Sequence, residues 1–223
     1  MASLDTRDLI GQLQAALREQ IAHAERLREL PLEVLQRRPA PDRWSVLEVI
    51  SHMNLSSGHY HRHLERIYAD ENNRLRFRTT FTPGFWGERM TRSMAPRSDR
   101  SIGWKMRTLR MFEPRTANTE GLPTLDTFVR MCHGLVGLLE RARARGIEGE
   151  KVVSSIGPML RFKPGDAFRF AVGHQQRHML QIERTLEALG AVSTSRIGEP
   201  TAPARLRRKW PTPSPCAVHR DRS

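Results

Sequence analysis

Lysine is scarce, cysteine is nearly absent and no long apolar run occurs, and each shortage closes off a class of protein. Two cysteines in 223 residues, Cys132 and Cys216, make neither a disulfide framework nor a CxxC zinc pattern. That fits a reducing cytosol. No stretch approaches the roughly 20 apolar residues that a bilayer crossing requires, so a soluble chain with no membrane partner is expected. The opening Met1-Ala2-Ser3-Leu4-Asp5-Thr6-Arg7-Asp8 has acids where a signal peptide carries a basic end and an apolar stretch. A cytoplasmic location is therefore expected. Of the 37 basic residues, only Lys105, Lys151, Lys163 and Lys209 are lysines. An arginine-dominated excess arises from codon bias as readily as from phosphate binding, so the net charge of +13 is weak evidence for a nucleic-acid partner. No helix-turn-helix or RNA-recognition motif accompanies it.

With 38% hydrophobic residues the chain can bury a substantial core, and its apolar positions recur at helical spacing. Leu9, Leu13, Leu17, Ile21, Ala24 and Leu27 mark a first helix within residues 6–37, with Pro31 near a break. Ser45 and Glu48 form a capping box, with Trp44 before it as a staple, and start a second helix that runs to about Asp70. Leu125, Phe128, Val129, Cys132, Leu135, Val136 and Leu139 belong to a third, closed by Arg141–Arg145 and Gly146. After a turn at Pro164-Gly165-Asp166, with Asp166 as the expected N-cap, a fourth runs from about Ala167 to Leu189. Strand signal is confined to a short piece at Lys151–Ser155.

Four such helices predict an all-α protein, a four-helix bundle with a long insert between helices two and three and a disordered C-terminal tail. The insert, residues 71–122, holds six of the fourteen aromatics: Phe77, Phe81, Phe85, Trp86, Trp104 and Phe112. A connection that long and that aromatic is expected to fold over one end of the bundle. Its aromatics and the arginines Arg89, Arg92, Arg97, Arg100, Arg107 and Arg110 suit a lid or wall for an anionic substrate, the alternative being solvated arginines over a local aromatic core. Residues 191–223 are Pro-rich and carry seven basic residues against two acidic ones, so a domain at 1–190 followed by a disordered tail at 191–223 is expected.

The nine histidines carry the most chemistry. His174 and His178 stand at i and i+4 on helix four, where two imidazoles leave one face a turn apart and can chelate one cation. His52, His59 and His63 share a face of helix two at steps of seven and four. Two adjacent helices can thus bring three or more imidazoles to one point, although an i, i+4 pair also arises by chance. His61 points away from His59 and His63. His23, His133 and His219 have no partner at ligand spacing and are read as structural or surface residues.

Two of these segments resemble signatures of the DinB-like (YfiT-like) proteins. Trp44-Ser45-Val46-Leu47-Glu48-Val49-Ile50-Ser51-His52 is similar to that family's tryptophan, serine, glutamate and histidine motif. Gly173-His174-Gln175-Gln176-Arg177-His178 is similar to the histidine pair near the start of its last helix. Helix order agrees over about residues 6–190, and Met106–Pro114 is similar to a segment that often precedes the family's third helix. The resemblance implies a divalent metal site of His52, His174 and His178, holding zinc, nickel or iron, and a homodimer. Relatives of this kind include thiol-dependent S-transferases, isomerases and hydrolases, alongside many with no known reaction. A metal-dependent enzyme acting on a small-molecule substrate is expected, either a transferase using a low-molecular-weight thiol or a hydrolase. The alternative is a non-catalytic metal-binding or nucleic-acid-binding bundle.

His59 is the expected catalytic residue, as a proton shuttle or extra ligand, against a packing role beside the insert's aromatics. Glu48, one turn before His52, suits either its capping box or a hydrogen bond that orients His52. Gln181 is a substrate-contact candidate. Cys132, among Phe128, Val129, Leu135 and Val136, reads as a core thiol.

Overall fold

A computed structural model of the chain describes residues 2–97, 99–103, 108–114 and 121–191. The tail from residue 192 and Trp104 and Arg107 of the insert lie outside the described residues.

Helix α1 spans Thr6–Leu27, capped by the Asp5 carboxylate, which accepts the Asp8 N–H at 2.9 Å. Its buried face is the predicted one, Leu9, Ile10, Leu13, Leu17, Ala24 and Leu27. It stops at Leu27 because Pro31, four residues on, has no N–H and its ring would meet that residue's carbonyl. Pro31 instead opens the five-residue helix α2, Leu32–Gln36. Helix α3, Val46–Ala69, starts at the expected capping box: Glu48 N–H donates to Ser45 Oγ at 3.2 Å and Ser45 N–H to Glu48 Oε2 at 2.8 Å. Arg38 then pairs with the same Glu48 carboxylate.

A strand and a helix of the insert follow. Strand β1, Leu4–Asp5, pairs antiparallel with β2, Thr80–Phe81, and Phe81 is fully buried. Helix α4, Phe85–Met94, packs on the last helix, and a single 3-10 turn covers Arg110–Phe112. Helix α5, Leu122–Arg145, carries Pro123 in its first turn and ends at Gly146. Strands β3, Val152–Ser154, and β4, Gly157–Phe162, form a hairpin of which only the first arm was anticipated. Helix α6, Pro164–Ala188, is the last element among the described residues.

The protein is a four-helix bundle built from α1, α3, α5 and α6. Both α1 and α3 pack against α5 and α6, so α1 and α3 take opposite corners. Over its described residues the insert is folded, as expected. Asp166 is not the cap of α6, which starts at Pro164; a proline tolerates that first-turn position because its missing N–H would have no helical partner. Its carboxylate reaches out to accept the Gly84 N–H at 2.8 Å, at the start of α4. Arg169 bridges Asp166 at 3.4 Å and Glu88 of α4 at 2.6 Å, joining the insert to the bundle. A Cβ at Gly87 would run into the Asp166 side chain, so the missing side chain permits this approach. Among the described residues, no helix is long and apolar enough to cross a membrane.

Candidate metal centre

His52 lies two turns into α3, and α6 turns His174 and His178 toward it. The Nε2 atoms of His174 and His178 are 3.1 Å apart, those of His52 and His174 are 3.4 Å apart, and the three ligand atoms lie within 4.8 Å of one another. Nitrogens bound about 2.0–2.1 Å from one tetrahedral ion stand about 3.3–3.4 Å from each other, so these spacings suit a shared cation.

Hydrogen bonds on the far side of two rings fix what faces the shared point. His52 Nδ1 donates to the carbonyl of Phe112 at 2.8 Å, and His178 Nδ1 donates to Gln181 Oε1 at 2.9 Å. Those oxygens only accept, so each Nδ1 holds the hydrogen and each Nε2 presents a lone pair. His174 can donate from its own Nε2 to only one of them. At least one of the two Nε2 lone pairs is therefore left without a hydrogen to accept, an arrangement that a cation resolves. Trp44 covers His52 with ring centroids 5.2 Å apart, and His174 stacks on Phe170 at 6.0 Å with planes 10° apart.

Burial keeps the three rings neutral. Loss of water depresses His52, with the Phe112 carbonyl opposing, and depresses His174 far below the ordinary value. His178 falls to about 3, first through burial and then through His52. Outside the group, burial, followed by the nearby Arg26, holds His23 down at about 4. A histidine whose folded pKa lies below its unfolded one stabilises the fold above about pH 6.5, and that contribution is lost as pH falls toward the folded value. The window runs from about 6.5 to about 4 for His23 and to about 3 for His178. Urea melts of metal-free protein should lose about 2 kcal/mol for each of these two residues between pH 7.5 and 5. Equal stability at both values would show that they are not buried in the neutral form.

A cavity of about 70 Å³ opens beside the histidines. Its wall includes Met94, Thr108, Leu109 and Phe112 from the insert, Ser155 and Ile156 from the hairpin turn, and Phe170 and Arg177 from α6. The insert thus supplies a wall, but of its aromatics only Phe112 takes part among the described residues. Phe81 is buried in the core, and Phe85 and Trp86 are exposed. The wall's cation comes from α6, while Arg92 and Arg100 of the insert pair with Glu88 and Glu183.

Other expected residues fall as follows. His59 stands apart from the three: its Nε2 donates to the Val153 carbonyl at 2.9 Å, and its ring lies 6.4 Å from Phe112 and 4.4 Å from His63. Glu48 serves its capping box and Arg38, and the task of orienting His52 falls to the Phe112 carbonyl. Gln181 holds His178. Cys132 is fully buried, and burial raises its thiol far above the ordinary range. Phe112 as a histidine partner and Arg177 as a cavity residue are not among the expected site residues. Gln181, expected to contact substrate, instead partners His178, a role that its i+3 spacing allows; a backbone carbonyl leaves no such mark.

Neither the comparison with curated proteins nor that with solved structures gave a match. The family description that matches is the DinB superfamily, over residues 12–182, a span that takes in all three histidines. The chain belongs to the DinB superfamily.

Proposed function

We propose that the chain is a divalent-metal-dependent enzyme, a thiol-using transferase or a hydrolase, with His52, His174 and His178 as ligands to zinc, nickel or iron. The convergence of three neutral Nε2 atoms carries this reading. Three uncharged ligands leave a divalent ion's charge undiminished and positions open, which lowers the pKa of a coordinated water or thiol.

The chain's own part is orientation and water exclusion. Phe112 and Gln181 hold two imidazoles by their Nδ1 hydrogens, and Trp44 and Phe170 close off ring faces. In this proposal His59 accepts a proton at Nδ1, since its Nε2 hydrogen is committed to Val153. Burial lowers its pKa, which keeps it in the basic form at neutral pH.

The test is to purify the protein without a histidine tag, quantify its metal, and assay metal-free and reconstituted samples on a thiol with an electrophile, and on esters and amides. Turnover of one class that returns with metal is expected, and His59→Gln should flatten its acid limb. Full occupancy with no turnover of either class would replace this reading with that of a non-catalytic metal-binding bundle.

A further inference from the structure

The cavity beside the histidines is lined by a cation and by no acid among its described wall residues. That cation, Arg177, sits on α6 between His174 and His178. One guanidinium nitrogen, Nη1, is buried with no hydrogen-bond partner, and no carboxylate pairs with the side chain among the described residues. Arg169, two turns earlier on the same helix, is withdrawn from water against both Asp166 and Glu88. Withdrawing a charge from water is costly unless a counter-charge meets it, and the described residues supply none to Arg177. Around it the wall is mainly apolar: Met94, Leu109, Phe112, Ile156 and Phe170. The remaining polar wall groups outside the histidines are three hydroxyls, those of Ser56, Thr108 and Ser155, and Ser56 already donates to the His52 carbonyl at 2.8 Å.

We propose that Arg177 anchors the carboxylate of a small organic acid whose apolar body lies against Phe112, Phe170 and Leu109. A planar fork of N–H donors matches a planar carboxylate, and few further donors are present for the additional oxygens of a phosphate. This assignment rests on the reading of the cavity as the substrate site, and it stands without reference to which metal is held.

The experiment titrates metal-free, full-length protein with butyrate and with butyramide, which has the same shape and no charge. Butyrate is expected to bind at least about tenfold more tightly, the margin of a charge-assisted hydrogen bond. Arg177→Met should erase that preference, and Arg177→Lys, which keeps the charge without the fork, should retain part of it. An unchanged preference in Arg177→Met, or none in the wild type, overturns the proposal. Metal uptake on reconstitution is measured separately. Stoichiometric uptake by an Arg177→Met protein that has lost the preference supports the assignment, because it shows the histidines intact. A butyrate preference in a wild type that takes up no metal on reconstitution also supports it, while removing the metal-dependent reading of the enzyme.

Discussion

His174→Ala is expected to abolish stoichiometric retention of a divalent metal and, with it, the metal's effect on thermal stability. His174 is the middle member of the group, 3.1 Å from the His178 nitrogen and 3.4 Å from that of His52, so its loss leaves two ligands without the nitrogen that bridges them. A ligand that binds only the folded state at 100 times its dissociation constant stabilises by about 2.7 kcal/mol. For a domain of this size that amounts to a rise of about 5–11 °C in melting temperature. The wild type should show the rise and His174→Ala should not. Gln181→Leu, which removes only the acceptor behind His178, should weaken metal binding by about 10–100-fold, leaving a response at higher metal concentration. An undiminished response in His174→Ala would mean that the metal sits elsewhere.

Gly146→Ala should destabilise the fold by about 3–5 kcal/mol. At this position α5 ends with φ of 87° and ψ of 178°, a backbone region that only glycine enters without strain. An added Cβ would also fall on the carbonyl of Arg76 and the amide of Phe77, main-chain atoms that cannot rotate away. That stretch is held there: Arg76 N–H donates to the Glu148 carbonyl at 2.8 Å, and Tyr68 donates to the carbonyl of Gly146 itself at 2.7 Å. Gly137 provides the opposite case. It lies inside α5 with nothing within 4 Å of an added Cβ, so Gly137→Ala should stabilise by about 0.5–1 kcal/mol through helix propensity alone. Denaturant melts of the two variants decide the matter, and a Gly146→Ala protein as stable as the wild type would refute the clash.

What could be read from the chain follows from where the information sits. The Ser45 and Glu48 pair locates the start of α3 to the residue because both halves of the capping box are side chains. The ligands on α6 are likewise visible as an i, i+4 pair. The position of Asp166 before an apolar run suits a local cap, yet its carboxylate serves a helix 82 residues away in sequence. No local pattern records such a partner. The second arm of the hairpin escaped notice because Gly157 and Pro158 open β4 with the residues of a turn. Phe112 is one of the insert's expected wall aromatics, and its backbone oxygen also orients His52, a role that any residue type can fill.

The two helices that carry the histidines are far apart in the chain: His52 and His174 are separated by 122 positions. An ion shared between them would close a loop of that length, worth about 4 kcal/mol of chain entropy on the logarithmic scaling of loop closure. It also sets an order in time. A polypeptide still under synthesis offers only His52 of the three imidazoles until residue 174 has been added, and the other two arrive together on the helix that closes the bundle. Metal capture at this site would thus be a late event in the life of the chain, reserved for molecules whose sixth helix has docked.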